Sequence, residues 1–105
     1  MAMKYPIPSQ VRTEWRRFAH QHEEIKSITL FGSRARGDND MRSDIDIAVS
    51  APKASQKQWL EAFFYFRDKA NTLLPIDVVK LEEAPKKLKT KINKEGISLY
   101  ERKNT

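Results

Sequence analysis

The sequence predicts a small α/β or α+β protein, in which helices pack on a mixed sheet of three to four strands. Short β-rich runs alternate with longer segments whose apolar residues recur every three or four positions, and Gly or Pro residues separate them. Apolar residues make up 39% of the 105 residues, which is enough for one modest core between two layers. We therefore expect a single domain spanning residues 1–105.

Each element of this fold has a signal in the sequence. The first helix has an N-cap at Ser9 and ends near His22, because its apolar residues recur at helical spacing between these points. Pro85 is well placed to start the last helix, and Gly96 suits its C′ position. The remaining predicted elements are strands at residues 27–31, 44–50 and 76–81, the longest helix at residues 55–71, and a short terminal strand at residues 97–100.

The composition excludes several classes of protein. The chain has no cysteine, so it contains no disulfide, no thiolate zinc site and no cysteine nucleophile. No apolar run approaches the ~20 residues of a membrane span, and residues 1–10 are too short and polar for a signal peptide. We expect a cytoplasmic protein that makes no contact with a membrane.

The net charge of +6 is concentrated near the C-terminus. Residues 84–105 hold seven Lys/Arg and two Glu, whereas residues 1–83 hold thirteen Lys/Arg and twelve Asp/Glu. A basic segment of this kind can bind nucleic acid or an acidic protein surface, or it can be a solvated helix face. Its lysines lack interleaved aromatic residues, so we do not expect direct nucleic-acid binding.

Two carboxylates in the second strand are the first candidates for chemistry. Asp44 and Asp46 lie two residues apart among apolar neighbours, so the strand period places both on one face. Unpaired carboxylates side by side repel each other, and a divalent cation removes this repulsion. Hard oxygen ligands favour Mg²⁺ or Mn²⁺. An edge strand whose aspartates simply face water would show the same pattern.

The turn at Gly32-Ser33, directly after the first strand, is the second candidate. Gly32 has no Cβ, so a phosphate can approach the backbone closely, and the Ser33 hydroxyl and nearby N–H groups can hold phosphate oxygens. Arg34 and Arg36 follow at once with complementary charge. The turn contains neither G-K-[ST] nor G-x-G-x-x-G, and taken alone it could be an ordinary turn.

Asp77, in the third predicted strand, is the third candidate. It lies between apolar residues, where burial of an unpaired carboxylate is costly. If the three strands are neighbours, Asp77 comes beside Asp44 and Asp46; otherwise it is a strand-end residue that pairs with a lysine. Three converging carboxylates beside a phosphate-holding turn are typical of two-metal phosphoryl or nucleotidyl transfer.

Together these residues resemble the DNA polymerase beta nucleotidyltransferase superfamily. The match runs G-S-R-A-R-G-D-N-D-M-R-S-D-I-D-I at residues 32–47 and I-D-V-V at residues 76–79. With its small size and its ending K-E-G-I-S-L-Y-E at residues 94–101, the chain is most similar to the minimal nucleotidyltransferases. These are the antitoxin halves of bacterial HEPN–nucleotidyltransferase toxin–antitoxin pairs. One departure is Met41-Arg42, where the family often has a proline or an acidic residue.

The resemblance implies a role for each candidate residue. Asp44 and Asp46 would bind two Mg²⁺ ions, and Asp77 would hold the catalytic ion and help to deprotonate the attacking hydroxyl. The Gly32 backbone and the Ser33 hydroxyl would hold the terminal phosphates of ATP. The family suggests that AMP is transferred from ATP to a tyrosine hydroxyl of a HEPN-type toxin.

Two other functions stay open at this point. The chain could be an antitoxin that neutralises its partner by binding alone, without any transfer reaction. It could also be a small-molecule nucleotidyltransferase of the antibiotic-modifying kind, although such enzymes usually carry a further domain for the acceptor. The sequence leaves open whether the chain forms a homodimer or a hetero-oligomer.

Overall fold

A computed structural model describes residues 7–103, and the expectations for residues 1–6 and 104–105 lie outside this range. The described elements are, in chain order, α1 (Ser9–Gln21), β1 (Ser27–Phe31), α2 (Ser33–Arg36), β2 (Ile45–Ser50), α3 (Gln56–Asp68), β3 (Ile76–Lys80), a 3-10 turn (Leu81–Glu83), α4 (Lys86–Glu95) and β4 (Ile97–Glu101).

The strands form one mixed sheet, which confirms the predicted fold class. Their order is β3-β2-β1-β4. Strand β1 is antiparallel to both β2 and β4, whereas β2 and β3 are parallel. Strands β2 and β3 carry predicted site residues, and β1 ends beside Gly32. These three strands are consecutive neighbours in the sheet.

One face of the sheet carries the main hydrophobic core. Alternate residues of all four strands are buried there, and α1 and α3 cover them. The indole of Trp15 in α1 meets the ring of Phe66 in α3 edge to face, with centroids 5.7 Å apart and an interplanar angle of 85°. Since both side chains are fully buried, this contact ties the two helices together over the sheet.

The opposite face carries a smaller apolar cluster and the predicted carboxylates. Helix α4 packs there through Leu88 and Ile92, which contact a cluster that includes Phe31 and Ala48. By the strand alternation, Asp46 lies on this same face, one pleat nearer to the start of β2 than Ala48. Four lysines of α4 remain exposed to solvent, namely Lys86, Lys87, Lys91 and Lys94.

Several helix ends differ from the prediction. The N-cap of α1 is Pro8, so Ser9 is the first helical residue, and its carbonyl accepts a hydrogen bond from the Thr13 hydroxyl. Helix α3 starts where expected, because Ser55 and Gln58 form a reciprocal capping box. It ends at Asp68, three residues early, and at 13 residues it is only as long as α1.

Gly96 follows α4 directly, as expected, but not with the left-handed backbone of a helix-ending glycine. Its φ is −70° and its ψ is 150°. A Cβ at this position would lie 2.4 Å from the carbonyl oxygen of Ile92 and 2.5 Å from Cγ2 of Thr29. Close packing of α4 on β1, rather than backbone freedom, therefore requires glycine here.

None of the helices in residues 7–103 is long and apolar enough to cross a membrane.

Candidate active site

The sheet register places two of the predicted carboxylates side by side. Asp46 in β2 and Asp77 in β3 are direct partners across a parallel strand pair, so both side chains lie on the face that α4 covers only in part. Asp44 lies one residue before β2, where the N–H of Ile45 donates to the carbonyl of Pro75 at 2.9 Å. The sheet ladder therefore fixes Asp46 and Asp77 directly, and Asp44 only through its neighbour.

The three carboxylates form a strongly anionic cluster. Partial burial raises the pKa of Asp46 above its ordinary value, and the negative charges of Asp77 and Asp44 raise it further, while the charge of Arg36 lowers it. Among residues 7–103, no side chain donates a hydrogen bond to these carboxylates or forms an ion pair with them. Among the described residues, these carboxylates thus have no directly bonded cation, and Arg36 acts on Asp46 only through its charge.

This donor set fits a magnesium ion that is shared with a substrate. Within the described part of the chain, no three acidic or histidine side chains are close enough to enclose a metal ion by themselves. Mg²⁺ in nucleotide enzymes is typically held by one or two carboxylates, with water and phosphate oxygens in the other positions. Asp46 and Asp77, with Asp44 beside them, supply the hard oxygen ligands that such an ion needs.

Gly32 packs directly against the Asp46 carboxylate. Its backbone has φ 78° and ψ −158°, a conformation that is essentially restricted to glycine. A Cβ at this position would lie 2.3 Å from Oδ2 of Asp46 and 3.1 Å from its Cγ. The β1–β2 register explains the contact, because Phe31, which precedes Gly32, pairs with Asp46. The glycine turn and the carboxylates therefore form one site.

Ser33 begins the four-residue helix α2 beside this contact. The turn is held by hydrogen bonds from Ala35 and Arg36 to the carbonyl of Gly32, and Gly37 closes it with a left-handed φ of 88°. The Ser33 hydroxyl is half-buried and has no hydrogen-bond partner among the described residues. It is therefore free to donate to a ligand oxygen.

Arg36 is the cation that acts on the carboxylate cluster. Its Nε donates to Oδ2 of Asp38 at 3.1 Å, and its Nη1 lies 3.5 Å from Oε1 of Glu95 in α4. The hydrogen bond from Arg36 to Asp38 and the nearby acidic charges raise the arginine pKa, so the side chain stays charged. These two contacts hold the guanidinium at the edge of the site, where its charge is felt by Asp46.

Arg34 occupies a different position from the other predicted nucleotide-binding residues. It is only 8% exposed. Its Nε donates to the carbonyl of Ser43 at 3.0 Å, and its Nη2 donates to the carbonyl of Met41 at 3.2 Å and is 3.5 Å from that of Asp40. These donors are directed at the loop that leads into β2, not at the surface of the site.

This loop contains residues that the sequence analysis did not single out. The N–H of Asp40 donates to Oγ of Ser43 at 3.0 Å, and Oδ1 of Asp40 accepts from the N–H of Arg42 at 2.7 Å. The D-x-x-S spacing at residues 40–43 is the available signal, because Asp and Ser side chains commonly fold back on the backbone in turns. The loop just before Asp44 is thus internally ordered.

Comparison with known proteins agrees with this geometry. The sequence matches the family model of polymerase beta nucleotidyltransferases over residues 14–105. The fold is similar to that of a toxin–antitoxin structure with AMP-PNP, with a TM-score of 0.67 and 24% identity over 91% of this chain and 75% of that one. An MntA–HepT toxin–antitoxin structure gives a TM-score of 0.64 and 21% identity, covering 90% and 74% of the two chains. No curated protein matches the sequence significantly.

Proposed function

Since the chain belongs to the polymerase beta nucleotidyltransferase family, we propose that it is a Mg²⁺-dependent antitoxin that transfers AMP from ATP to a tyrosine hydroxyl of a HEPN-type toxin. The observation that carries this proposal is the pairing of Asp46 with Asp77 across parallel strands, with Gly32 against the Asp46 carboxylate. It supports the proposal because two carboxylates suited to a metal ion and a turn without a Cβ lie within one small site.

The three carboxylates share the metal in this proposal, and one of them has a second task. Asp44, Asp46 and Asp77 hold the metal, and Asp77 also helps to deprotonate the attacking hydroxyl. Bound Mg²⁺ supplies positive charge at the α-phosphate and at the attacking oxygen. The acceptor oxygen forms a bond to the α-phosphorus, the bond from that phosphorus to the β-phosphate oxygen breaks, and pyrophosphate leaves. The residues contribute by positioning and charge, with no covalent enzyme intermediate.

The turn after β1 holds the phosphates of the nucleotide. Gly32 presents backbone without a Cβ, and the Ser33 hydroxyl has no competing partner among the described residues. Arg36 is exposed enough to reach a phosphate, and Asp38 and Glu95 keep it at the edge of the site until the nucleotide arrives. A charge-assisted hydrogen bond from Arg36 to phosphate would replace these two contacts.

Two observations support a toxin as the partner. The motifs at residues 32–47 and 76–79 resemble those of antitoxin nucleotidyltransferases. The two solved structures described above are both toxin–antitoxin structures, and one of them contains AMP-PNP. The tyrosine acceptor and the HEPN class of the toxin come from the family resemblance.

The test is a transfer assay with α-labelled ATP, Mg²⁺ and the protein that the neighbouring gene encodes. Label should appear on that protein, disappear with Asp46→Asn, and persist with Asp68→Asn. Asp68 is a suitable control because it is an exposed aspartate paired with Arg67 at 2.9 Å, and it belongs to α3, which covers the opposite face of the sheet from Asp46. Absence of label with every nucleotide and metal would overturn the proposal, and toxin neutralisation by Asp46→Asn would then indicate neutralisation by contact.

A further inference from the structure

Arg34 is a buried cation whose side chain is fixed by the loop ahead of β2. Of its residue surface only 8% is exposed, and its guanidinium donates to the carbonyls of Ser43 and Met41. A buried guanidinium is costly unless its donors are satisfied, so these bonds are part of a specific structure. An apolar side chain at this position could not form these hydrogen bonds.

The shape of the guanidinium suits these two hydrogen bonds. Its planar fork directs donors along one edge, so Nε and Nη2 reach carbonyls two residues apart at the same time. A lysine ammonium is a point charge and cannot bridge both carbonyls in this way. Arg34 therefore fixes both the position and the conformation of residues 38–43, the 38–43 loop.

The residue that depends on this loop is Asp44. Strand β2 begins at Ile45, so Asp46 is held by the ladder on both sides, whereas Asp44 lies outside the ladder. On one side of Asp44, the N–H of Ile45 bonds to Pro75; on the other side, the carbonyl of Ser43 is held by Arg34. The backbone of Asp44, whose side chain is exposed, is thus held between two fixed points.

We propose that Arg34 is a positioning residue, which holds Asp44 where it can complete the metal site with Asp46, and that it is not a phosphate ligand. This inference rests on the proposed function, because it assigns Arg34 to the metal site of that function. In this proposal Arg36, two residues later, binds phosphate. The two arginines of the turn therefore have different roles. Removing Arg34 should weaken metal binding, and removing Arg36 should weaken nucleotide binding.

The first experiment compares Arg34→Lys with Arg36→Gln in the full chain. Mn²⁺ affinity is measured by electron paramagnetic resonance, and amide hydrogen exchange is followed over residues 38–45. Arg34→Lys should weaken Mn²⁺ binding by tenfold or more, speed exchange in the 38–43 loop, and lower kcat while leaving the KM for ATP within about threefold. Arg36→Gln should raise the KM for ATP and leave exchange at residues 40–43 unchanged, and it should not weaken Mn²⁺ binding, because it removes a positive charge that acts on Asp46.

A second loop variant, Ser43→Ala, keeps the test decisive if Arg34→Lys fails to fold. Ser43→Ala removes the hydroxyl that accepts from the N–H of Asp40, and the side chain is only half-buried, so the fold should persist. It should weaken Mn²⁺ binding in the same direction, by a smaller factor. Raised Mn²⁺ should restore the activity of both loop variants, because a positioning defect is offset by ligand concentration.

The outcomes separate this inference from the proposed function. Unchanged Mn²⁺ affinity and loop exchange in a folded Arg34→Lys, with weaker nucleotide binding, would overturn the positioning role and make Arg34 a phosphate ligand. If the wild-type chain transfers no AMP, the proposed function fails. The metal-binding and exchange results would then still decide whether Arg34 positions Asp44.

Discussion

Gly32 and Asp46 lie so close that a Cβ on the glycine would be 2.3 Å from a carboxylate oxygen of the aspartate. The contact joins the turn that we propose binds phosphate to a carboxylate that we propose binds metal, two features that lie fourteen residues apart in the chain. Neither could shift without displacing the other. The site is therefore best tested through substitutions that disturb this contact in a controlled way.

Gly32→Ala should lower both stability and activity. The φ of 78° with ψ −158° costs a non-glycine residue about 1–3 kcal/mol. The added methyl must also push the Asp46 carboxylate aside, and a displacement of about 1 Å in a reacting group can cost ~10²-fold in rate. Thermal unfolding and AMP transfer, measured on the same preparation, check the two effects.

Gly37→Ala is the matched control for that substitution. Gly37 also has a positive φ, 88°, but an added Cβ would meet nothing within 4 Å. It should lose stability by about 1–2 kcal/mol from backbone strain alone. At ATP concentrations well above KM, its transfer rate should exceed that of Gly32→Ala by at least tenfold. Equal rates in the two variants would show that the contact with Asp46 does not matter for activity.

The stability of the chain should respond to pH through Asp46. Its pKa is raised in the folded state, so protonation favours the fold: this contribution is complete below the unfolded pKa and is lost as pH rises through the folded pKa. With metal removed by EDTA, Asp46→Asn should therefore melt higher than wild type at pH 7. The difference should shrink towards zero below the ordinary pKa of aspartate.

Magnesium should reverse that order. If Mg²⁺ binds the folded wild-type carboxylates and not the unfolded chain, as proposed, it stabilises the wild type by mass action, whereas the amide of Asp46→Asn is a poorer ligand. Melting curves with and without saturating Mg²⁺ and AMP-PNP test both statements. A wild type that melts above Asp46→Asn in EDTA at pH 7 would contradict the conclusion that the charge of Asp46 opposes folding.

Arg102 should contribute measurably to stability without affecting the site. Its Nη2 donates to the carbonyls of Ala19 and His22, the latter at 3.1 Å, and its Nε donates to that of Ile25 at 3.0 Å. A cation at the C-terminus of α1 also interacts favourably with the helix dipole. Arg102→Ala should cost about 1–2 kcal/mol, which is roughly 4–16 °C in melting temperature for a domain of this size.

The neighbouring Lys103 provides the control for Arg102. It is exposed to solvent, so Lys103→Ala should change the melting temperature by little. AMP transfer at 20 °C should be the same for Lys103→Ala and Arg102→Ala, because the carbonyls that Arg102 contacts lie in and after α1. A loss of transfer activity in folded Arg102→Ala would mean that the C-terminal end of α1 affects the candidate active site.

Much of the site was predictable because it depends on local patterns. The period of a strand places alternate residues on one face, and Asp46 and Asp77 each sit centrally in an I-D-[IV] run of their strand. The turn at Gly32 follows a β-rich run, so its position at a strand end was also readable. Strand adjacency then brought the carboxylates together, as the topology confirms.

The parts that were not predictable depend on contacts distant in sequence or on loop conformation. The Arg36–Glu95 pair spans 59 residues, and the contacts of Arg102 with α1 span about 80, so no local pattern reveals them. The position of Arg34 depends on how the 38–43 loop folds back. The sequence predicted that both Arg34 and Arg36 lie near phosphate. It could not show that Arg34 is buried.

Asp77→Asn should separate proton transfer from nucleotide binding. Asp77 is exposed, and its partner across the strands is Asp46, so the substitution keeps size and fold while removing one negative charge and the proton acceptor. Removing a general base typically costs about 10²–10⁴-fold in rate. Asp77→Asn should lose transfer by this factor, whereas its affinity for AMP-PNP and Mg²⁺, measured by calorimetry, should change by less than tenfold.

Glu83→Gln is the control for that final comparison. Glu83 is an exposed acidic residue just beyond the other end of β3, 3.7 Å from the Lys80 ammonium, so its charge should not reach the site. Transfer by Glu83→Gln should match wild type. If Asp77→Asn loses nucleotide affinity in parallel with its rate, Asp77 acts mainly as a metal ligand, and the proton must leave the acceptor hydroxyl by another route.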